Sequence, residues 1–473
     1  MTETPRLEMG CEIILPIYNY EFSMANVIKL RKGLDINLKG RAKEKKLPSR
    51  SSATYGLVPE CFVGITPKVI VKVGDHVLVG DPLFVNKACP EVRFSSPVSG
   101  TVTEVLRGER RKVMCVKVKA DETQQNRIFE RLDINASNGD KVKAALLEAG
   151  LFGYINQLPY AISTTPNTTP SGIFVSTLRD MPLAGSFEFE LQGNEEAFQA
   201  GITALSKIAP VHLGIGAKQD ARALVEVKNA KVHIFDGPCP AGNVGVQINH
   251  IAPMSHNETV WTVDPSAVIF FGRLFLTGKV DLRRTVAVAG SRVKDPAYVD
   301  ALVGTQIGDI LRDNMESEAH TRIIDGNPLT GRVSSADGFL GAHTSEVTVI
   351  PEGDDKDELL GWIMPRPNEF SMSRSYLTWL QGKKHEYDLD ARVKGGKRHI
   401  IMSGEYDKVL PMDIYAEFLI KAIIVGDIDK QEQLGIYEVS PEDFAVAEFV
   451  DSSKQPLQQI VRQGLDILRK ENA

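Results

Sequence analysis

The chain contains 473 residues, 42% of them hydrophobic and 25% charged, which is typical of a globular protein with about three domains. Its net charge of −6 disfavours a nucleic-acid-binding protein, because such proteins usually carry a basic surface. The five cysteines form no C-x-x-C pair, which argues against an iron–sulfur cluster or zinc site that this chain ligates alone. With no signal-peptide pattern and no apolar run of about 20 residues, the sequence predicts a soluble or peripheral protein.

The N-terminal part of the chain predicts an extension followed by a small β-domain. Residues 1–23 precede the first strand-like pattern, so we expect an N-terminal extension there and Met24 as the functional start. A basic, strand-like run begins at Val27 and is predicted to open the β-domain. Through residues 24–120, short apolar or alternating runs end at Gly-Asp turns and show no helical periodicity. This pattern favours a β-sandwich or barrel.

Residues 121–284 alternate between strand-like and helix-like segments. One helix-like segment follows Asn194, a residue type that favours helix N-caps. It is followed by a strand, a helix and a second strand, namely VHLGIG (211–216), ARALVEV (221–227) and KVHIF (231–235). Strand–helix–strand alternation predicts a parallel α/β layer.

The remaining sequence predicts a small mixed domain and a helical C-terminal part. Residues 285–380 combine strand-like runs with glycine-rich turns, which favours an α+β domain. In residues 381–473, Gly395 and Gly396 predict a hairpin. A helix is expected to begin at Ser440, and an amphipathic helix is expected over PLQQIVRQGLDILRKE.

Two stretches of the β-domain resemble the halves of biotinyl and lipoyl carrier domains, VGDHVLVGDPLF (73–84) and FSSPVSGTVTEVLRGERR (94–111). Carrier domains hold one modified lysine at an exposed hairpin tip between the halves. Counting back from Pro97 by the spacing of those domains places Cys89 at the tip and Lys87 two residues away from it. We therefore predict that the scaffold is present and that the cofactor arm is absent.

The segment LGIGAKQ contains half of the G-x-G-x-x-G loop that binds dinucleotides. Gly214 and Gly216 are in place, whereas Gln219 stands where a third glycine would let the helix approach its strand. Asp220 would place a negative charge where the helix should face phosphate. Asp236 follows at the position of a ribose-binding acid. Because the context fits but the loop does not, we predict a degenerate nucleotide-binding fold without a bound cofactor.

The segment DGPCPAGNVGVQINHIAP (236–253) is predicted to be a rigid loop because of its glycines and early prolines. It follows a predicted strand, and open α/β sheets bind ligands at the carboxyl ends of their strands. The sequence contains no convincing metal-ligand spacing, no Ser/His/Asp set at the spacing of a catalytic triad and no phosphate-binding Walker loop. We therefore predict no catalytic residue and no metal site.

Two basic islands stand out on this acidic chain. The first basic island is RGERRK (107–112). The second basic island consists of Lys383, Lys384, Arg392, Lys394, Lys397 and Arg398. Most such islands are solvated surface, but a peripheral protein that meets a membrane protein or anionic lipid would also use them.

Taken together, the motifs resemble those of the A-subunit family of the bacterial Na+-translocating NADH:quinone oxidoreductases, which are six-subunit respiratory sodium pumps. Besides the carrier-like halves, the matching stretches are VIKLRKGLDINLKG (27–40), GPCPAGNVG (237–245), RIIDGNPLTGR (322–332), FLGAHTSEVTVIPEG (339–353), GWIMP (361–365) and VLPMDI (409–414). Each motif is weakly specific by itself, whereas the ordered set is strongly specific. Residues 1–23 depart from the family pattern, because they precede its usual start.

The resemblance implies a multidomain α/β and α+β protein. After the extension (1–23), its parts would be a biotinyl/lipoyl-like barrel-sandwich hybrid (24–120), a Rossmann-like α/β domain (121–284), a β-grasp (SLBB) domain with a flanking hairpin (285–380) and a C-terminal hairpin with helices (381–473). It also implies a peripheral position at the cytoplasmic face of the inner membrane, docked chiefly on the membrane-embedded B subunit, with the C, D, E and F subunits completing the complex. The chain would hold no cofactor, while FAD, FMN, riboflavin, iron–sulfur centres and the NADH site belong to its partners. A contribution to quinone binding is part of the same expectation.

Two other classes of protein remain open at this stage. One is a stand-alone flavin- or NADH-binding oxidoreductase that uses the Rossmann-like domain. The other is an electron-carrying subunit of a related ferredoxin:NAD complex, which has a similar layout but carries iron–sulfur cysteines that this chain lacks.

We predict that the protein carries no covalent biotin, lipoate or flavin, because the spacing puts no lysine at the position of the carrier lysine. The intact mass of protein purified from its native host should equal the mass of the polypeptide. A biotinyl or lipoyl addition on Lys87, located by peptide mass mapping, would contradict the prediction.

Overall fold

The computed structural model describes residues 27–255, 258–355, 366, 369–372, 374, 376–382 and 384–472. The predicted extension and the predicted start at Met24 lie outside these ranges. Within them, no helix is both long enough and apolar enough to span a bilayer. We name four units after the predicted ranges, whose boundaries stay predictions: the carrier-like unit (24–120), the α/β unit (121–284), the mixed unit (285–380) and the C-terminal unit (381–473).

The carrier-like unit contains two small sheets and an aromatic core. The strands up to residue 120 are β1 (Val27–Lys29), β2 (Thr54–Leu57), β3 (Pro67–Val69), β4 (His76–Val77), β5 (Pro82–Asn86), β6 (Cys89–Ser95), β7 (Gly100–Arg107) and β8 (Val113–Ala120). The sheet orders are β2-β8-β7-β4 and β3-β5-β6. The Phe94 ring lies 4.3 Å from that of Phe62 and 4.8 Å from that of Phe84, between centroids. These buried rings tie β5 and β6 to the segment that follows β2.

The strand-like run at Val27 pairs with the sheet of the α/β unit. β1 pairs in parallel with residues 234–236 of the α/β unit. The chain then follows the mixed unit, where Leu47 N donates to Tyr298 O at 2.8 Å. Local propensity could not identify this pairing, because the partner strand lies far away in the sequence.

The hairpin between β5 and β6 corrects the placement of Lys87. β5 ends at Asn86 and β6 begins at Cys89, so Lys87 and Ala88 form the turn and Lys87 is exposed at its tip. The spacing count puts Cys89 there, which is wrong because the β5–β6 pairing changes register near Asn86. The absence of a cofactor arm stays a prediction, and it now depends on the sequence around Lys87 rather than on geometry.

The α/β unit is built on a seven-stranded sheet in the order β1-β13-β12-β11-β14-β9-β10. Its own strands are β9 (Ile155–Leu158), β10 (Ile162–Ser163), β11 (Ile173–Ser176), β12 (Val211–Gly216), β13 (Lys231–Asp236) and β14 (Val260–Val263). Its helices are α1 (Gly139–Glu148), α2 (Phe187–Leu191), α3 (Glu195–Ser206), α4 (Arg222–Val225), α5 (Val244–Ile251) and α6 (Pro265–Thr277). The pairs from β1 to β14 are parallel, and β9 and β10 add antiparallel pairs. The predicted parallel α/β layer is confirmed.

Local predictions for this unit are confirmed for the strands and only partly for the helices. VHLGIG coincides with β12, and KVHIF lies within β13, whereas ARALVEV contains only the single turn α4. Asn194 precedes α3 as predicted, but its side chain donates to Glu190 O at 2.8 Å instead of capping the helix. The predicted rigid loop covers only residues 237–243, because α5 begins at Val244.

The mixed unit is a five-stranded sheet in the order β16-β15-β19-β17-β18. Its elements are β15 (Arg283–Ala289), β16 (Ala297–Leu302), α7 (Ile307–Ile310), β17 (Thr321–Asp325), β18 (Arg332–Ser334) and β19 (Glu346–Pro351). β15 and β19 are parallel neighbours, and the other pairs are antiparallel. The mixture of strand directions agrees with the predicted α+β character.

The C-terminal unit is helical and covers the β1 side of the α/β unit. Its helices are α8 (Tyr406–Val409), α9 (Ala416–Val425), α10 (Ile428–Gln433), α11 (Ala445–Val450) and α12 (Leu457–Glu471). They share a buried cluster with Leu30 and Phe235. The amphipathic C-terminal helix is confirmed as α12, which buries Leu457, Val461 and Leu465. The hairpin predicted at Gly395 and Gly396 is wrong, because the described residues 388–400 contain no strand.

Helices α3 and α6 cross at two glycines, and they can pack this closely only because glycine has no Cβ atom. A Cβ atom on Gly272 of α6 would lie 1.7 Å from Ala197 O, and one on Gly201 of α3 would lie 2.1 Å from Val268 O. No neighbouring backbone can move that far without separating the helices. The crossing therefore requires glycine at both positions.

We predict that Gly272→Ala lowers the free energy of unfolding by about 1–3 kcal/mol or more, because the methyl group overpacks a backbone contact. Thermal unfolding followed by circular dichroism should show a lower melting temperature. Gly396→Ala is the matched control, since a Cβ atom there meets nothing within 4 Å. Equal melting temperatures for Gly272→Ala and the wild type would contradict the prediction.

Candidate functional site

A cavity of about 770 Å³ lies where the four units meet. Ser176 at the end of β11 and Thr262 of β14 form its floor. Cys61, Glu346 and Glu442 bring the carrier-like, mixed and C-terminal units into its wall. Pockets of roughly 300–1,000 Å³ hold most small-molecule ligands, so this cavity is large enough for one.

The strand order explains the position of the cavity. From β11 the chain moves outward to β12 and β13, and then returns to β14 on the other side of β11. The loops that leave β11 and β14 therefore diverge and open a crevice at the carboxyl ends of these strands. Open α/β sheets bind their ligands at such a switch point.

Two helices begin at the cavity, and carboxylates of the chain itself occupy both N-termini. Asp264 precedes α6 and accepts from Ser266 N at 2.9 Å. At the start of α5, Asn243 Nδ2 donates to Asp443 Oδ1 at 3.1 Å. A Cβ atom on Gly245 would lie 2.4 Å from Asp443 Oδ2, so this carboxylate rests directly on the first turn. The positions where a helix dipole would attract a phosphate are therefore already filled.

A buried cluster of charges joins the α/β unit to β15 of the five-stranded sheet beside the cavity. Arg284 of β15 and Arg179 both donate to Ser266 Oγ, at 2.8 Å and 2.9 Å. Their guanidinium groups lie 3.5 Å and 3.8 Å from Asp264 Oδ1. Burial opposes the ionisation of Asp264, but the two arginines outweigh it and hold the pKa of this carboxyl below its ordinary value. Asp264 is therefore a carboxylate at neutral pH.

Two other carboxyl groups of the cavity are shifted in the opposite direction. Burial, together with repulsion from Asp443 and Asp264, raises the pKa of Glu442 to about 7. Burial raises the pKa of Asp180 to about 6, although Gly242 N donates to it at 2.9 Å. Glu442 lines the cavity with an exposed side chain. Near neutral pH, this group therefore exists in both protonation states.

Next to the carrier-like unit, the lining residues His343, Cys61 and Arg332 lie beside buried aromatic rings. The His343 ring lies 5.6 Å from Phe62 and 5.5 Å from Tyr154, and burial lowers its pKa to about 4. Arg332 Nη2 donates to Cys61 Sγ at 3.1 Å, and burial raises the pKa of this thiol. Histidine and cysteine are thus both neutral at physiological pH, and neither is an activated nucleophile.

The residues of the predicted degenerate loop lie at the same edge of the sheet but do not line the cavity. The side chain of Gln247 fills the space next to Gly214, where a Cβ atom would lie 1.9 Å from Gln247 Oε1. Gln219 Oε1 accepts from Gly216 N at 2.8 Å, so the residue at the third glycine position closes its own loop. Asp236 is exposed at the end of β13. The loop is followed only by the single turn α4, which cannot act as a phosphate-binding helix.

Sequence reasoning missed the charged groups of the cavity. The segment beginning at Ser440 carries the expected capping pattern, and Ser440 N donates to Asp443 Oδ2 at 2.8 Å. Nothing local indicates that Asp443 also meets α5, or that Glu442 and Asp180 line the same cavity. Within the described ranges, no group of three or more His, Cys, Asp or Glu side chains is arranged to hold a metal ion.

The two basic islands differ in their surroundings. Arg107, Arg110 and Arg111 lie exposed at the tip between β7 and β8. In the second basic island, Lys394 Nζ pairs with Glu369 at 2.6 Å, whereas Lys397 and Arg398 are exposed. Lys383 lies outside the described residues.

Three domain profiles of one family match the chain. They are described as the NqrA N-terminal barrel-sandwich hybrid domain (residues 28–121), the NqrA second alpha/beta domain (137–280) and the NQRA C-terminal domain (285–336). The predicted barrel-sandwich hybrid and α/β classes are thereby confirmed.

Curated relatives whose names designate the A subunit of Na(+)-translocating NADH-quinone reductase match over almost the whole chain. The relative from Haemophilus influenzae (strain 86-028NP) is 32% identical over 451 residues, which cover 94% of this chain and 100% of the relative. The relative from Vibrio atlanticus (strain LGP32) is 33% identical over the same shares. The relative from Tolumonas auensis is 32% identical over 93% of this chain and 98% of its own. A solved NAD+-reducing [NiFe]-hydrogenase covers 48% of this chain and 52% of its own at 12% identity, and its TM-score of 0.31 supports no conclusion.

We predict that Glu442→Gln stabilises the protein more at pH 8 than at pH 4.5. A carboxyl whose pKa is raised on folding destabilises the folded protein when it ionises. The wild type should therefore lose stability at this site as the pH rises from 4.5 to about 7 and above. Glutamine cannot ionise and avoids that loss. The difference in melting temperature between variant and wild type should therefore be larger at the higher pH.

The exposed Asp407, which does not line the cavity, provides the control variant Asp407→Asn. It should show the same difference from the wild type at both pH values. If Glu442→Gln behaves like this control, the carboxyl of Glu442 has an ordinary pKa and the prediction is wrong.

Proposed function

The chain belongs to the A-subunit family of the Na+-translocating NADH-quinone reductases, and on that premise we propose that it is a peripheral component of such a complex and performs no redox step by itself. The observation that carries the proposal is the alignment at 32% identity over 94% of the chain and the full length of the Haemophilus relative. A match over the full length favours the same place in the assembly as well as the same fold. The complex would couple the oxidation of NADH by quinone to the export of Na+.

The filled helix N-termini support a subunit without a nucleotide cofactor. A flavin or nicotinamide phosphate at the switch point would face Asp264 at α6 and Asp443 at α5, and like charges repel strongly where water is excluded. The loop at Gly214 and Gly216 is closed by glutamine side chains. These features disfavour a stand-alone flavin- or NADH-binding oxidoreductase.

We further assign the α/β unit to the Rossmann-like class and the mixed unit to the β-grasp class. The order β13-β12-β11-β14 supports the first assignment, because it is the order of one half of a doubly wound sheet plus the first strand of the other half. The parallel central pair β15–β19, flanked by antiparallel β16 and β17, supports the second.

We place the chain at the cytoplasmic face of the inner membrane, docked chiefly on the membrane-embedded B subunit, with the C, D, E and F subunits completing the complex. The partners would carry the flavins, the iron–sulfur centres and the NADH site, while this chain supports the quinone-reducing end. Charge distribution supports a docking role, because an acidic chain that concentrates arginines at an exposed tip presents a localised surface for an acidic partner.

The first basic island is the better candidate for that surface. Arg110 and Arg111 have φ angles of 51° and 61°, a left-handed conformation that costs on the order of 1 kcal/mol or more for residues other than glycine. Arg107 Nη1 donates to Arg111 O at 3.2 Å and helps to hold this conformation. The tip is thus a shaped arginine cluster rather than a random run of charge.

We predict that reversing the charge of Arg107, Arg110 and Arg111 to glutamate prevents co-purification with the membrane subunits. Rim charges set the association rate and the salt dependence of docking, so their reversal should weaken assembly strongly. Quinone reduction by the membrane preparation should fall, whereas NADH oxidation with an artificial electron acceptor should persist because that site lies on a partner. The melting temperature of the isolated variant should stay close to that of the wild type.

Matched variants separate a docking surface from a general effect of charge. The control variant changes three exposed lysines of the α/β unit to glutamate, namely Lys141, Lys218 and Lys228. It makes the same change of net charge at another surface and should leave assembly intact. Lys397→Glu with Arg398→Glu tests the second basic island without breaking the Lys394–Glu369 pair. Normal assembly and normal quinone reduction by both island variants would show that the docking surface lies elsewhere.

A further inference from the structure

A short turn before the C-terminal helices exposes three large apolar side chains. In this 3-10 turn (Leu377–Gln381, the apolar turn), Leu377 is 63%, Trp379 46% and Leu380 64% exposed, whereas the small Thr378 is buried. Single exposed apolar residues are common on protein surfaces, but three large ones on one turn form a patch. Such patches mark surfaces that contact a partner or a membrane.

The protein holds the apolar turn in this orientation from its inner side. Thr378 Oγ1 donates to Glu369 O at 2.7 Å. The next residue, Phe370, packs against Tyr387 and against Phe449 of α11, with 5.4 Å between ring centroids in both pairs. The turn is therefore bound to the C-terminal unit, and its three apolar side chains cannot face inward unless the hydrogen bond of Thr378 breaks.

Basic side chains surround the apolar turn. The guanidinium carbon of Arg374 lies 5.3 Å from the ring centroid of Trp379. Glu369 also pairs with Lys394 at 2.6 Å, which brings this part of the second basic island close to the turn. Among the described residues between 374 and 402, the exposed basic residues are Arg374, Lys384, Lys397 and Arg398, and the exposed acidic residues are Glu386 and Asp388. The surface around the turn is thus positive, although the net charge of the chain is −6.

We propose that the apolar turn inserts into the interfacial region of an anionic phospholipid bilayer and attaches the chain to the membrane independently of its protein partners. Tryptophan favours the boundary between headgroups and acyl chains, because its ring is apolar and its N–H is polar. Leucine side chains gain free energy when they leave water. The proposal rests on the peripheral membrane position proposed above, which places a bilayer within reach of this surface.

The chemistry of the surface favours a bilayer over a groove in another protein. An apolar groove would accept Leu377, Trp379 and Leu380 but would give no role to the surrounding cations. An anionic bilayer offers an apolar layer beneath a layer of phosphates, and lysine and arginine can reach the phosphates while their stems lie along the apolar boundary. Each basic residue near such a surface strengthens binding about fivefold. Three apolar side chains and a few cations give reversible binding, which suits a chain whose firm attachment comes from its partners.

The test measures binding of the isolated full-length chain to sedimenting vesicles of phosphatidylglycerol and, separately, of phosphatidylcholine. The wild type should bind the anionic vesicles about tenfold more tightly or better, and added salt should weaken this binding. Changing Leu377, Trp379 and Leu380 together to serine should weaken binding to phosphatidylglycerol about tenfold or more, because the apolar contact is lost. The matched control changes three exposed apolar residues elsewhere to serine and should bind as the wild type does, namely Val73, Ile128 and Val333.

A second variant locates the contact without depending on a loss of binding. Trp379→Phe keeps an aromatic ring and should still bind the vesicles. Brominated phosphatidylglycerol should quench the tryptophan fluorescence of the wild type, and this quenching should be much smaller in Trp379→Phe. The difference between the two proteins reports on Trp379, since the other tryptophans are unchanged.

Two results overturn the proposal, namely no binding of the wild type to phosphatidylglycerol vesicles and equal binding by the triple serine variant. If the wild type does not bind vesicles but the triple serine variant fails to co-purify with the membrane subunits, the apolar turn contacts a protein and the assignment to lipid is wrong. The vesicle assay uses the isolated chain, whereas the proposed function is tested by co-purification. A failure of one is therefore distinguishable from a failure of the other.

Discussion

Two buried arginines share one serine oxygen and one carboxylate at the start of α6, and the relative placement of the units depends on this cluster. Arg284 lies on β15 of the five-stranded sheet, Arg179 follows β11, and Ser266 and Asp264 lie at the start of α6. Removing a guanidinium group from water costs several kcal/mol unless it is paired, so neither arginine can lose these contacts cheaply. The cluster therefore fixes the mixed unit against the sheet and sets one wall of the cavity.

The need of a buried charge for an opposite partner also explains why the switch point differs from an ordinary nucleotide site. The N-termini of α5 and α6 need negative partners, and this chain supplies Asp443 and Asp264 itself. Once these positions are filled, a phosphate gains nothing there and meets repulsion. The crevice at the switch point thus serves as a junction between units, and this supports our proposal that the chain performs no redox step by itself.

Local sequence patterns predicted the elements that depend on neighbouring residues. The strands β12 and β13, the helix α12 and the two carrier-like halves follow from alternation, periodicity and turn residues. The predictions failed where a distant partner decides the outcome. The pairing of the run at Val27 with β13 could not be predicted, and the β5–β6 register puts Lys87, not Cys89, at the hairpin tip.

The sequence by itself determined the order of the units, the family to which the motifs belong and the incomplete glycine loop, because each is written in contiguous residues. Only the tertiary structure decided the site. Glu442 and Asp180 carry no distinctive signal in the sequence, and their raised pKa values arise from burial in the folded chain and, for Glu442, from repulsion by Asp443 and Asp264. Desolvation and mutual repulsion depend on distance in space, and a linear pattern carries no information about them.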